Sequence, residues 1–180
     1  MVRLRVLTAD DWPLWREARL AALTEAPHAF VARLADWHRG GEEQWRVRFA
    51  MPGAHHVLAV LDDGRTAGTA RGVPSGGDVC ELRSVWVAAG ARGHGVGGRL
   101  VAEVEAWARR SGAAALRLTV VPGNEPAVEL YRRHGFVLAD DPGAPLPDGT
   151  GRELVMVKQL RRPAPRAGRT RSGPPRGRPS

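Results

Sequence analysis

Apolar residues alternate with arginine over residues 2–7, the period-two pattern of a half-buried strand. Asp10 or Asp11 is placed to cap a helix that carries Trp12, Trp15, Leu20 and Leu23 and tolerates Pro13 in its first turn. Pro27 ends it. A weaker helical pattern covers residues 34–49 and holds Trp37 and Trp45. Strand patterns at 56–61 and 66–73 flank Asp62-Asp63-Gly64-Arg65, whose Asp-Gly marks a hairpin turn. A third apolar strand, Val79–Val87, runs through a short loop into a glycine-rich turn. The helix that follows sets Leu100, Val101, Val104, Trp107 and Ala108 along one stripe, with Arg109 and Arg110 complementing its C-terminal dipole and Gly112 stopping it. A strand at 115–121 leads to a helix that Asn124 begins and Gly135 terminates. Residues 136–139 and 153–160 read as closing strands joined by a Pro/Gly-rich loop. Strands interleaved with helices on one mixed sheet predict a single α/β (α+β) domain over residues 1–160.

The net charge of +8 belongs mostly to the end of the chain. Seven arginines and no acid fall in residues 161–180, and without them acids and bases nearly balance. This Arg/Pro/Gly-rich stretch has too little apolar surface to offset its ordering entropy and is expected to be disordered. It has no aromatic residue to stack on bases, so nucleic acid is not the expected partner. The single cysteine, Cys80, excludes an internal disulfide and fits a reducing, cytoplasmic compartment; inside a strand it reads as a buried, inert thiol. The N-terminus alternates charged and apolar residues in place of a signal-peptide core, and no apolar run is long enough to span a membrane.

The most informative segment is Arg92-Gly93-His94-Gly95-Val96-Gly97-Gly98 at the start of a helix. Glycines there let the backbone approach a ligand closely, and first-turn N–H groups with the helix dipole favour an anion. Arg92 adds a planar positive fork suited to phosphate. The segment is a pyrophosphate cradle. A dinucleotide fold would turn its strand directly into the first glycine, but five residues separate Val87 from Gly93, and no acid follows in 113–121 to hold a ribose. A P-loop fails for want of Gly-Lys-Ser/Thr.

Arg92, Gly95 and Gly97 match the cofactor-loop pattern Arg/Gln-x-x-Gly-x-Gly/Ala, and the segment resembles that of the GCN5-related N-acetyltransferase (GNAT) superfamily. Asn124-Glu125-Pro126-Ala127-Val128-Glu129-Leu130-Tyr131-Arg132-Arg133-His134-Gly135-Phe136 resembles the second signature, Asn-x-x-Ala-x-x-x-Tyr-x-x-x-Gly-Phe, with each named position filled. The resemblance implies a mixed, mostly antiparallel sheet with helices on both faces, and acetyl-CoA as co-substrate. It implies that Gly93, His94, Gly95, Val96, Gly97 and Gly98 present amides to the pyrophosphate with Arg92, and that Val85, Trp86 and Val87 pair their backbone with the pantetheine arm. Asn124 would stand beside the cofactor, although N-capping alone also explains it. His94 is expected to offer only its backbone.

Amine acetylation needs the acceptor deprotonated, since an ammonium of pKa about 10.4 is mostly charged at neutral pH. It also needs a donor to the oxyanion and a proton for the departing thiolate. The resemblance assigns that proton to Tyr131, the sole tyrosine. Glu81, six residues before Val87, stands where histone-type members carry their base and is expected to share a strand face with Arg83, Val85 and Val87, although an ion pair with a neighbouring arginine explains it equally. Other members carry a glutamate five residues before the asparagine; here that position is Thr119. His55 and His56 point to opposite faces, no cluster has metal-ligand spacing, and Ser84 lacks a nucleophile elbow. The expected function is an N-acyltransferase moving acetyl to a small-molecule or peptide amine by direct transfer in a ternary complex. Its alternative is a non-catalytic acyl-CoA-binding module. Asp36, Glu42, Glu43, Asp140, Asp141 and Asp148 could attract a cationic amine or be solvated surface charges. The sequence leaves the acceptor open and is compatible with a homodimer.

Overall fold

The computed structural model describes residues 1–38 and 40–161, the His38 side chain excepted; the basic stretch expected beyond residue 161 lies outside the described residues. The elements in order are β1 (Val2–Val6), α1 (Trp12–Glu25), α2 (Leu34–His38), α3 (Glu42–Phe49), β2 (His55–Leu61), β3 (Thr66–Pro74), β4 (Val79–Val87), α4 (Val96–Arg110), β5 (Ala115–Val120), α5 (Glu125–Arg133), β6 (Val137–Leu138) and β7 (Leu154–Gln159). They form one sheet in the order β1-β2-β3-β4-β5-β7-β6, antiparallel at every junction except β4–β5. The expected mixed sheet is therefore present, with β7 inserted between β5 and the two-residue β6.

The two faces bury different chemistry. On β2, Val57 and Ala59 join the stripe of α4 (Leu100, Val101, Val104, Ala108) and the α5 residues Val128 and Tyr131 in an aliphatic core. Leu58, of opposite parity, joins Trp15 of α1 with Trp45 and Phe49 of α3. Trp15 meets Trp37 and Trp45 edge-on at centroid distances of 5.8 and 5.7 Å. Helices therefore cover both faces. No helix among the described residues is long and apolar enough to cross a membrane. Cys80 is buried on the aliphatic side, where burial pushes its thiol pKa up.

Two local expectations are corrected. The helical pattern over 34–49 is two helices, because Gly40-Gly41 interrupts it and glycine gives a helix no side chain to pack. Asp11 does not cap α1 with its side chain; its carboxylate instead accepts from the Thr8 N–H at 2.8 Å and from an Arg5 guanidinium at 2.6 Å. The neighbouring histidines separate as alternation requires. His55 stacks on Trp107 of α4 at 5.5 Å, and His56 stacks on Phe49 of α3 at 4.1 Å.

His56 Nε2 donates to the Phe49 carbonyl at 3.0 Å, and burial, helped by the nearby Arg71 charge, lowers its pKa from 6.5 to about 4. The folded protein thus carries it neutral where the unfolded chain would protonate it, so stability falls as pH drops from 6.5 towards 4. The slope reaches at most about 1.4 kcal/mol per pH unit. Thermal melts across this window should show that loss in the wild type and a flatter profile in His56→Phe; parallel profiles would refute the assignment.

Candidate active site

β4 and β5 pair only at Val79↔Ala115, Cys80↔Leu116 and Glu81↔Arg117. Beyond these positions the parallel strands separate and leave one edge of β4 unpaired towards β5. On its other edge β4 pairs with β3, but the register jumps: Thr69 faces Trp86 while Arg71 faces Arg83, so β4 carries an extra residue there. Ser84 takes φ = 55°, the one non-glycine residue with positive φ among those described. A bulge of this kind bends a strand and increases its twist.

The bulge also inverts the strand's alternation, which corrects the expected placement of Glu81. Cys80 and Leu82 face the aliphatic core, so Glu81 and Arg83 point to the α1 side. After Ser84 the parity flips: Val85 and Val87 pack against the aliphatic core, and Trp86 packs with Ala22 of α1 and with Ala26 just past its end. Glu81 therefore shares its face with Arg83 but not with Val85 and Val87.

The gap between the strands opens into a cavity of two lobes, of about 460 and 480 Å³. The first lobe gathers Val85, Trp86, Val87, Arg92, Gly93, Gly95, Val96, Gly97, Gly98, Asn124 and Tyr131. His94 is the one candidate cradle residue not on its wall; its Nδ1 instead donates to the Arg92 carbonyl at 2.8 Å. Gly95 ends the turn at φ = 73°, and a Cβ on Gly97 would sit 3.1 Å from Leu130 Cδ2, so a side chain there would press on α5. No acid lies in the first turn of α4 to compete for its free amides. The guanidinium of Arg92 does not stand free. Its Nε donates to the Val87 carbonyl at 3.0 Å and its Nη2 to Glu25 Oε1 at 2.8 Å, while the Ala89 N–H donates to the same oxygen at 2.7 Å. Glu25, at the end of α1, thus ties the loop to the helix, a role the sequence did not reveal.

The second lobe holds Glu81, Arg83, Ser84, Thr119 and Glu153. Asn124, Ala127 and Tyr131, one face of α5 at helical spacing, line both lobes and form their seam. Asn124 occupies the N-cap position; its carbonyl accepts from the N–H groups of Ala127 and Val128 and its own N–H donates to the Val121 carbonyl, but its side chain makes no capping bond. Capping therefore does not account for its side chain. Tyr131 is 7% exposed, packs edge-on against Phe136 at 5.9 Å, and among the described residues its hydroxyl has no hydrogen-bond partner. Burial raises its pKa, so it holds its proton at neutral pH. Glu81 is paired with Arg83 at 2.8 Å.

A second carboxylate was not foreseen. Thr119 donates to Glu153 Oε1 at 3.0 Å, so the position where the sequence offered only a hydroxyl is reached by a glutamate just before β7. The β5–β7 pairing brings it there, a contact between residues 34 apart that no local pattern announces.

Known proteins share the fold. Residues 12–136 match the profile of the acetyltransferase (GNAT) family, and the chain belongs to that family. A GCN5-related N-acetyltransferase from Kribbella flavida is 28% identical, with 88% of this chain and 98% of that one covered at a TM-score of 0.65. A ribosomal-protein-alanine N-acetyltransferase from Brucella melitensis is 26% identical, covering 88% and 99% at 0.66. A phosphinothricin acetyltransferase from Sinorhizobium meliloti, solved in complex with acetyl-CoA, shares the fold at 19% identity, 88% coverage of each chain and a TM-score of 0.71. A search of curated protein sequences finds no significant match.

The bulge itself is testable. A β-branched side chain is poorly tolerated at positive φ, so Ser84→Val should cost about 1–3 kcal/mol. Ser84→Gly should leave stability unchanged or raise it. Equal losses by chemical denaturation would show that Ser84 does not sit in a left-handed bulge.

Proposed function

We propose that this chain is an acetyl-CoA-dependent N-acetyltransferase that moves an acetyl group to a primary amine by direct transfer in a ternary complex. The observation that carries the reading is the position of Tyr131, a protonated and otherwise unbonded phenol at the seam of two lobes. The first lobe would take the cofactor: glycine-rich amides at the start of α4 for its pyrophosphate, and the open edge of β4 at Val85–Val87 for its pantetheine arm. The fit is supported by the absence of acid from the first turn of α4 and by the lack of side chains on Gly95 and Gly97. When bound, acetyl-CoA supplies an activated acyl thioester.

The protein's part is proton management and alignment. The acceptor amine enters from the second lobe and gives up a proton to a carboxylate, Glu81 or Glu153, directly or through water. Unpaired N–H groups at the β4 splay offer donors to the oxyanion. Tyr131 gives its proton to the departing sulfur as the carbon–sulfur bond breaks. No side chain is acylated on this route. The acetyltransferase domain is taken to span residues 1–160, with the basic stretch 161–180 outside it. A cytoplasmic location fits the buried single cysteine.

Tyr131→Phe should lower kcat by about 10²–10⁴-fold with acetyl-CoA affinity unchanged, read by thiol release and by calorimetry. Undiminished kcat would remove the phenol from the mechanism. Of Glu81→Gln and Glu153→Gln, the one that removes the base should depress kcat/KM most on the plateau of the pH profile and least at its acidic end, so that the acidic limb is lost. An acidic limb preserved in both variants would exclude both carboxylates.

A further inference from the structure

α1 and β3 each bury an arginine that no carboxylate meets among the described residues. Arg19 and Arg71 are 5% and 6% exposed. Nε and Nη1 of Arg19, and Nε and Nη2 of Arg71, are sealed without a hydrogen-bond partner. The carboxylate on the same face, Glu81, is engaged by Arg83. The two buried guanidinium groups feel cations instead of acids: Arg71 lies close enough to disfavour the charge on Arg19, and Arg83 that on Arg71. Desolvation is the larger effect, and together these pull both pKa values down to about 10, which still leaves both charged at neutral pH.

Aromatic faces offset part of this cost. Arg19 lies over Phe30 at 4.9 Å and over Trp37 at 4.8 Å, and Arg71 lies over Trp15 at 5.7 Å. Such contacts are weaker than the desolvation penalty of an unpaired buried ion. They also fix the guanidinium planes, which suits a fork meant to bind a planar anion. Arg19 lines the second lobe, the one that also holds Glu81, Glu153 and Tyr131. At about 480 Å³ that lobe suits a small molecule better than a folded surface. Its charges are divided, with buried cation on the α1 wall and carboxylates on the strands.

We propose that the second lobe selects an acceptor amine that also bears a carboxylate, of the α-amino acid type, and that Arg19, held in place beside Arg71, binds that carboxylate. The assignment rests on the acetyltransferase reading of the same site and names its substrate class. The carboxylate supplies the missing counter-ion, and the ammonium end is drawn to Glu81 and Glu153 near Tyr131. Arg71, which is not on the cavity wall, acts through Arg19 as a positioning residue.

The test uses the full chain with saturating acetyl-CoA and follows thiol release from the common L-amino acids and from their C-terminal amides. Removing the anion leaves Arg19 buried and unpaired, so the best acid should exceed its amide by at least about 100-fold in kcat/KM. Arg19→Met should shrink that ratio below about 10-fold while acetyl-CoA still raises its Tm as in the wild type. Amides used as well as acids, or an Arg19→Met variant that loses both equally, would overturn the proposal. If Arg19→Met does not fold, the acid-to-amide ratio of the wild type decides. If no amine releases thiol, the transferase reading fails by itself. The anion site is then read from wild-type Tm with N-acetylglycine against N-acetylglycinamide: stabilisation by the acid alone supports it, and equal shifts refute it.

Discussion

The parallel contact between β4 and β5 lasts for three residue pairs, and the separation of the strands beyond it creates the site. A sheet that stayed paired would have filled the gap with main-chain hydrogen bonds. Instead, the bulge at Ser84 turns β4 away from its neighbour and leaves its edge unpaired where an extended ligand could lie alongside. Because the bulge inverts side-chain parity, one strand serves two purposes. Its first half turns Glu81 and Arg83 towards the second lobe, and its second half turns Val85 and Val87 towards α4 and the glycine-rich loop.

α5 closes the gap from the other side. Its face of Asn124, Ala127 and Tyr131 separates the lobes, and it is anchored in the aliphatic core through Val128 and through Phe136 just beyond its end. The aromatic core on the α1 face contributes differently. It holds Arg19 and Arg71 among rings, so charge is kept at a depth that a purely aliphatic core would not tolerate. The aliphatic face thus supports the first lobe, and the aromatic face supplies the buried charge of the second.

Much of this was legible in the sequence because its signals are local. Helix starts, the stripe of α4, the Asp-Gly hairpin and the Asn124–Phe136 motif depend on neighbours within a few positions. The cradle residues other than His94 do meet on one wall. What the sequence hid depends on pairing between strands. A bulge at Ser84 has no glycine to announce it, and Glu153 reaches Thr119 only through the β5–β7 ladder. Glu25 meets Arg92 across 67 residues. Arg19 did carry a signal that went unread: it stands four residues from both Trp15 and Leu23, on the buried stripe of α1. A charge in that position forecast either a buried ion pair or a ligand.

The proposal that the first lobe binds acetyl-CoA carries the rest of the functional reading. It is tested most directly by melting the protein with saturating acetyl-CoA and, separately, with NAD. Ligand at 100 times its Kd stabilises a fold by about 2.7 kcal/mol, which in a domain of this size is roughly 5 °C or more in Tm. A shift of that order is expected with acetyl-CoA and none with NAD. No shift with acetyl-CoA, or a larger one with NAD, would contradict it.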